Sequence, residues 1–178
     1  MQTISAEYLK EQQLLHRNPN YGVASLKFAP VVADIIKQQK IKTVTDYGAG
    51  KKRLKEALDQ LGAADYEYQP YDPAFPAYGS AQPAELVCCI DVLEHIEPDR
   101  LENVLDQLSQ LVQRLGFFTI HMGPAEKVLS DGRNAHLIQK STSWWLQRLC
   151  KYFDVNFLQL HREMGRGFMV VVQPLGKQ

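Results

Sequence analysis

The segment Thr43–Leu54, Thr-Val-Thr-Asp-Tyr-Gly-Ala-Gly-Lys-Lys-Arg-Leu, constrains the fold more than any other part of the chain. It reads as a buried strand, a glycine turn and the start of a helix. Glycine alone takes positive φ without steric cost, so Gly48 and Gly50 allow a sharp turn whose amides approach a ligand with no side chain in the way. Such a turn at a helix N-terminus is the nucleotide-binding corner of an open α/β sheet. A dinucleotide fold calls for a third small residue where this chain has Arg53, which argues against a pyrophosphate and against a nicotinamide-dependent oxidoreductase. Asp46, just ahead of the glycines, would repel a pyrophosphate and suits a ligand that carries an ammonium group.

The remaining elements follow from periodicity and breakers. A polar helical arm is expected over Ser5–His16, stopped by Asn18-Pro19-Asn20-Tyr21-Gly22. A helix beginning near Ser25 or Pro30 carries Val31, Val32, Ile35 and Ile36 on one face. Strands are expected at Lys42–Tyr47, Tyr66–Tyr71, Glu85–Ile90 and Gly116–His121. Between them run a helix from the glycines to Gly62 and a long one from Pro98 through Leu115, closed by Gly116. A helix around Trp144 and Trp145 precedes two strands, Asp154–His161 and Phe168–Gln173, joined through Met164-Gly165-Arg166-Gly167. This alternation means a mostly parallel sheet covered on both faces, a Rossmann-like three-layer α/β sandwich. Residues 1–178 read as one domain, with an N-terminal arm over 1–24 and the core over 25–178.

Lysine and arginine together number 20, as do aspartate and glutamate, so no broad nucleic-acid surface is expected. Cys88 and Cys89 are adjacent on a strand and point to opposite faces; with Cys150 they read as small buried residues of a reducing compartment. No apolar run approaches a membrane span and Met1–Lys10 lacks a signal-peptide core, so a cytoplasmic protein without membrane association is expected.

Two further segments carry chemistry. Asp72 follows the second strand, where an acid can accept both ribose hydroxyls of a nucleoside held by the preceding turn; before Pro73 it can equally be a turn residue. Ile90-Asp91-Val92-Leu93-Glu94-His95-Ile96 ends the most apolar strand, and the carboxyl end of such a strand is where open α/β sheets bind ligands. Glu94 and His95 can alternatively cap the helix that starts near Pro98.

The glycine-turn segment resembles the first motif, roughly Asp-x-Gly-x-Gly, of class I S-adenosylmethionine-dependent methyltransferases. Asp91-Val92-Leu93-Glu94-His95 resembles their fourth motif, and the resemblance runs from Lys42 to Gln173. Leu15–Gly22 and Gly132-Arg133-Asn134-Ala135-His136 are similar to segments of a bacterial and phage subset of small single-domain enzymes. The resemblance implies a sheet closed by a C-terminal antiparallel hairpin and S-adenosylmethionine as cofactor, bound by Asp46, Gly48, Gly50, Asp72, Ile90 and Asp91. It also implies methyl transfer; a small molecule or a sugar is the expected acceptor. Candidate catalytic groups are His95, His136, His121 and Glu94, and candidate acceptor contacts are His16, Tyr21, Arg133 and Asn134, with no metal required. The family places a helix, a strand and another helix between Asp72 and Glu85; about a dozen residues cannot hold all three, so that edge of the sheet is expected to be shortened.

Two alternatives stand beside this. Small-RNA 3′-terminal ribose methyltransferases hold a divalent metal on a related cluster; Glu94, His95 and His136 match part of it, while Asp91 replaces its first glutamate. A non-catalytic protein of the same fold would act through partner binding, but would have no need of Asp46, the glycine pair and Asp72.

Overall fold

The computed structural model describes residues 2–161 and 166–176. Six strands form one sheet in the order β2-β1-β3-β4-β6-β5. β1 (Thr43–Tyr47), β2 (Glu67–Tyr71), β3 (Ala84–Ile90) and the longer β4 (Val112–His121) pair in parallel. β5 (Phe153–His161) and β6 (Gly167–Pro174) pair antiparallel, and β6 runs antiparallel to β4, giving the C-terminal closure. Of the expected hairpin turn, Met164 and Gly165 lie outside the described residues.

Side chains alternate across a strand, and here each face is apolar. Leu86, Cys88 and Ile90 of β3 and Phe117 of β4 pack against α2 (Ser25–Gln39) and α3 (Arg53–Gln60). Val87, Cys89, Phe118 and Ile120 pack on the other side against α4 (Leu101–Leu111) and α5 (Thr142–Leu149). The sheet is therefore the middle of three layers. Cys88 and Cys89 are free thiols buried in opposite layers, as their adjacency requires, whereas Cys150, expected to be buried, is exposed beyond the end of α5. No helix among the described residues is long and apolar enough to cross a membrane.

Only a short turn of 3₁₀ helix, Pro76–Tyr78, lies between β2 and β3, so β2 is the outer strand of its half-sheet. This is the shortened edge expected from the residue count.

α4 departs from expectation at both ends. It begins at Leu101 behind Arg100, three residues after Pro98, and gives way to β4 at Val112. Leu115 and Gly116 are thus strand residues, not a helix end and its stop. Val112 and Leu115 fit a helical face, but they also match Ala84 and Leu86 of β3 across an irregular register, and that pairing prevails. Gly116 is there for space: a Cβ would come within 2.7 Å of Val172 Cγ2 and 2.8 Å of Phe118 Cζ.

The N-terminal arm forms α1 (Ala6–His16), whose first turn is capped by Ser5 Oγ accepting from the Tyr8 amide at 3.1 Å. Tyr8 is its one buried residue and packs against Leu129 and Ala135 of the loop after β4, forming a small apolar cluster apart from both main layers.

Candidate functional site

A cavity of about 420 Å³ opens at the carboxyl ends of β1, β3 and β4, between the sheet, α1 and the loop after β4. β1 connects through α3 to β2 on one side, and β3 lies on its other side, so this is the point where strand order reverses, the expected ligand crevice of such a sheet. Eleven of the residues expected from sequence line it: Asp46, Gly48, Gly50, Asp72, Ile90 and Asp91 toward one end, His95, His121 and His136 on one wall, and His16 and Tyr21 from the arm.

Gly48 and Gly50 both have positive φ, +82° and +48°. A Cβ on Gly48 would collide with the Val92 side chain just after β3, so the turn and the end of β3 are in van der Waals register. The turn's amides are not free for a ligand, contrary to the sequence-based expectation. Gly48 and Ala49 both donate to the Tyr71 carbonyl, at 2.8 and 3.0 Å, and Gly50 donates to Asp72 Oδ2 at 2.9 Å. The end of β2 has taken them all.

Asp72 has both roles open to it in sequence. Its Oδ1 accepts from the Ala74 amide at 2.8 Å, a turn contact, and its carboxylate also lines the cavity. A carboxylate offers about four acceptor positions, so the two backbone bonds leave capacity for a ligand. His16 Nε2 lies 3.9 Å from Oδ2. Asp46 is buried and accepts a hydrogen bond from the Tyr68 hydroxyl. Burial pushes its carboxyl up to about 7, with the Tyr68 bond opposing and the nearby Asp72 charge adding. Among the described residues no basic side chain forms an ion pair with Asp46.

Three imidazoles cluster on the opposite wall. His136 lies edge-on to His95 with centroids 4.7 Å apart and tilted against His121 at 4.9 Å. His95 Nδ1 is 2.8 Å from the Ala135 carbonyl, and His136 Nδ1 is 2.7 Å from that of Gly123. Burial, reinforced by His136, depresses His95 to about 3, so the ring is neutral. Glu94 lies beneath them, fully buried; its Oε1 accepts from the His121 amide at 2.8 Å. Burial and then the Asp91 charge hold its carboxyl well above the ordinary range. Asp91 itself is in a left-handed conformation (φ 50°) and accepts a hydrogen bond from the Thr119 hydroxyl.

Four expectations need correction. Arg133 does not line the cavity: it is exposed and paired with Asp131 at 2.6 Å. Asn134 does not line it either. Its side chain bonds both the amide and the carbonyl of Ala125 and accepts from the His136 amide, stapling the loop. His16, expected at the acceptor, lies at the other end, where a Cβ on Gly50 would meet its Cε1 at 3.0 Å. Glu94 and His95 do not cap α4, and Glu94 is beneath the wall rather than on the cavity surface. Sequence reasoning missed Tyr8 and Gln12. Tyr8 donates its hydroxyl to the His95 carbonyl at 2.7 Å, and Tyr21 donates to Gln12 Oε1 at 3.3 Å. The one available signal was an inward aromatic on an otherwise polar helix.

No family model matches the chain, and no curated protein matches it in sequence. Solved structures do match in shape. A 1,6-didemethyltoxoflavin-N1-methyltransferase from Burkholderia thailandensis, solved with its named acceptor and S-adenosylhomocysteine, superposes at a TM-score of 0.65 with 15% identity, over 98% of this chain and 92% of that one. A mitomycin 7-O-methyltransferase gives 0.66 at 16% identity over 93% of this chain, which spans 57% of that protein's length. A magnesium protoporphyrin IX methyltransferase from Synechocystis with bound S-adenosylhomocysteine gives 0.57 at 10% identity, over 95% of each chain. At such identities the likeness establishes the fold: that of class I methyltransferases.

Proposed function

We propose that this chain is an S-adenosylmethionine-dependent methyltransferase acting on a small-molecule acceptor. The observation that carries the proposal is a pair of buried carboxylates, Asp46 and Asp72, on either side of a glycine turn at the switch point of a class I methyltransferase fold. Asp46 is a buried acid without a cation partner, which fits the ammonium of the methionine moiety. Asp72 has acceptor positions left for two ribose hydroxyls. Gly48 keeps the floor flat against Val92, and Ile90 and Asp91 extend it. Since the turn's amides are already paired, recognition rests on the two carboxylates and on shape.

The cofactor supplies an electrophilic sulfonium methyl group. The protein's work is to align the acceptor in a pocket shielded by α1 and the loop, and to take a proton where the acceptor must lose one. Tyr21, His95, His121 and His136 face that end. A neutral His95 held near 3 is a weak base and serves as a wall and hydrogen-bond partner, leaving His121 as the proton acceptor. A small acceptor is favoured by the size and cover of the cavity and by the absence of a basic excess in the composition. The neighbouring structures named for toxoflavin and mitomycin methylation support the same class. A sugar falls within it.

Isothermal titration of the full chain with S-adenosylhomocysteine tests this. One site with a micromolar or tighter Kd is expected, with binding lost in the double variant Asp46→Asn/Asp72→Ala. No heat with either S-adenosylhomocysteine or S-adenosylmethionine would overturn the proposal.

A further inference from the structure

Methyl transfer leaves one buried group unexplained. Glu94 is fully enclosed, its Oε1 is taken by the His121 amide, and its Oε2 has no hydrogen-bond partner. If ionised, Oε2 is a bare buried charge; if protonated, it is a donor without an acceptor. Native interiors seldom tolerate either without a role or a missing ligand.

Two imidazoles converge on the same place. A ligand atom from each of Glu94, His95 and His136 lies within 4.8 Å of the other two. Carbonyl oxygens only accept, so the contacts from Nδ1 of His95 to Ala135 and from Nδ1 of His136 to Gly123 place the proton on Nδ1 in both rings. The lone pair is then on Nε2 in each. A carbonyl on the far nitrogen is what sets the tautomer and the aim of metal-binding histidines. Two neutral imidazoles, edge-on to one another, therefore lie close to an orphaned carboxylate, with no basic side chain among the described residues in an ion pair with Glu94.

We propose that Glu94, His95 and His136 hold one divalent transition-metal ion. Two nitrogens and one oxygen select a borderline ion such as Zn²⁺ or Ni²⁺ over Mg²⁺ or Ca²⁺, which prefer all-oxygen sites. Donors in a tetrahedral zinc site stand about 3.4 Å apart at bond lengths near 2.0–2.1 Å, a closure that small side-chain rotations reach. Three protein donors leave a position open. Glu94 approaches from beneath and the imidazoles line the cavity, so the open position faces the ligand space. Asp91 is not among the three residues that converge, and one of its oxygens is engaged by Thr119. The proposal goes beyond methyl transfer and does not depend on it.

The test uses the full chain, stripped with a chelator and dialysed. Titration with Zn²⁺ should show one equivalent bound at micromolar Kd or tighter, and Co²⁺ should give the intense visible bands of a four- or five-coordinate site. His136→Ala and Glu94→Gln should each weaken binding about a hundredfold, while Cys150→Ala, an exposed free thiol outside the cluster, leaves it unchanged. Should the variants fail to fold, the unmodified chain decides: imidazole ¹⁵N spectra must show two Nε2 resonances shifting at one equivalent of Zn²⁺. Absence of saturable binding, binding indifferent to both cluster variants, or no Nε2 shift would each overturn the site. S-adenosylhomocysteine titrated alongside separates the two proposals, because its failure to bind would sink methyl transfer and leave the metal site standing.

Discussion

Asp46 is the residue whose ionisation the fold has most plainly set. Burial raises its carboxyl from 3.8 to about 7, so within that window the folded chain binds more protons than the unfolded one. Its contribution to stability is therefore greatest at low pH and declines as pH rises through the window. A cation partner reverses the preference, because the ammonium favours the charged form. Binding of S-adenosylhomocysteine at pH 6 should release a proton, seen as a dependence of the titration heat on the buffer's ionisation enthalpy. Asp46→Asn should abolish that release and weaken binding. Asp72→Ala should cost about 1–3 kcal/mol of cofactor affinity, the range for charge-assisted hydrogen bonds, and leave the Gly50 amide without its acceptor. Gly48→Ala carries two separable penalties: a positive φ of 82°, costing about 1–2 kcal/mol for an L-residue, and the collision with Val92. Adding Val92→Ala should recover the second but not the first, a difference that urea unfolding of the two variants resolves.

Among the elements, α1 is the most separable. Both main apolar layers are built from residues between Ala24 and Val172, and α1 contributes mainly Tyr8 to the small cluster with Leu129 and Ala135. Deleting residues before Pro19 should leave a cooperative thermal transition, while the loop after β4 becomes the first site of proteolytic cleavage and cofactor affinity falls with the loss of His16. Gly116→Ala in β4 makes the converse point, since its Cβ has nowhere to go between Val172 and Phe118; a loss of about 1–3 kcal/mol is expected from overpacking. These elements also show what a sequence makes legible. The strand, turn and helix around Gly48 are encoded locally, and the shortened edge follows from counting residues between Asp72 and Glu85. The end of α4 is not local: Val112 and Leu115 satisfy a helical period, and only β3 decides against it. Asn134 looked functional for the same reason that it is a staple, because a polar side chain in a long loop shows nothing of its partners until the loop is folded.

For the molecule as a whole, the cavity joins parts that are distant in the chain: an N-terminal helix, the glycine turn, the ends of three strands and the loop after β4. A ligand that occupies it ties them together. At S-adenosylhomocysteine concentrations 100-fold above Kd, linkage adds about 2.7 kcal/mol, which for a chain of this size raises the melting temperature by about 5–11 °C. A scan with and without ligand measures this directly.

The pairing of the glycine turn with the end of β2 has a kinetic side. The amides of Gly48, Ala49 and Gly50 find acceptors only on Tyr71 and Asp72, residues that arrive after α3 has crossed over and β2 has zipped alongside β1. The corner cannot preassemble. It is a late product of a non-local parallel pairing, and β2, having no strand outside it, is where fraying starts. Each excursion of β2 from the sheet dissolves that corner while the rest of the sheet persists. Deuterium exchange at those three amides should therefore run faster than at Val87 or Phe118 in the central strands, and slow selectively when the cofactor product is bound.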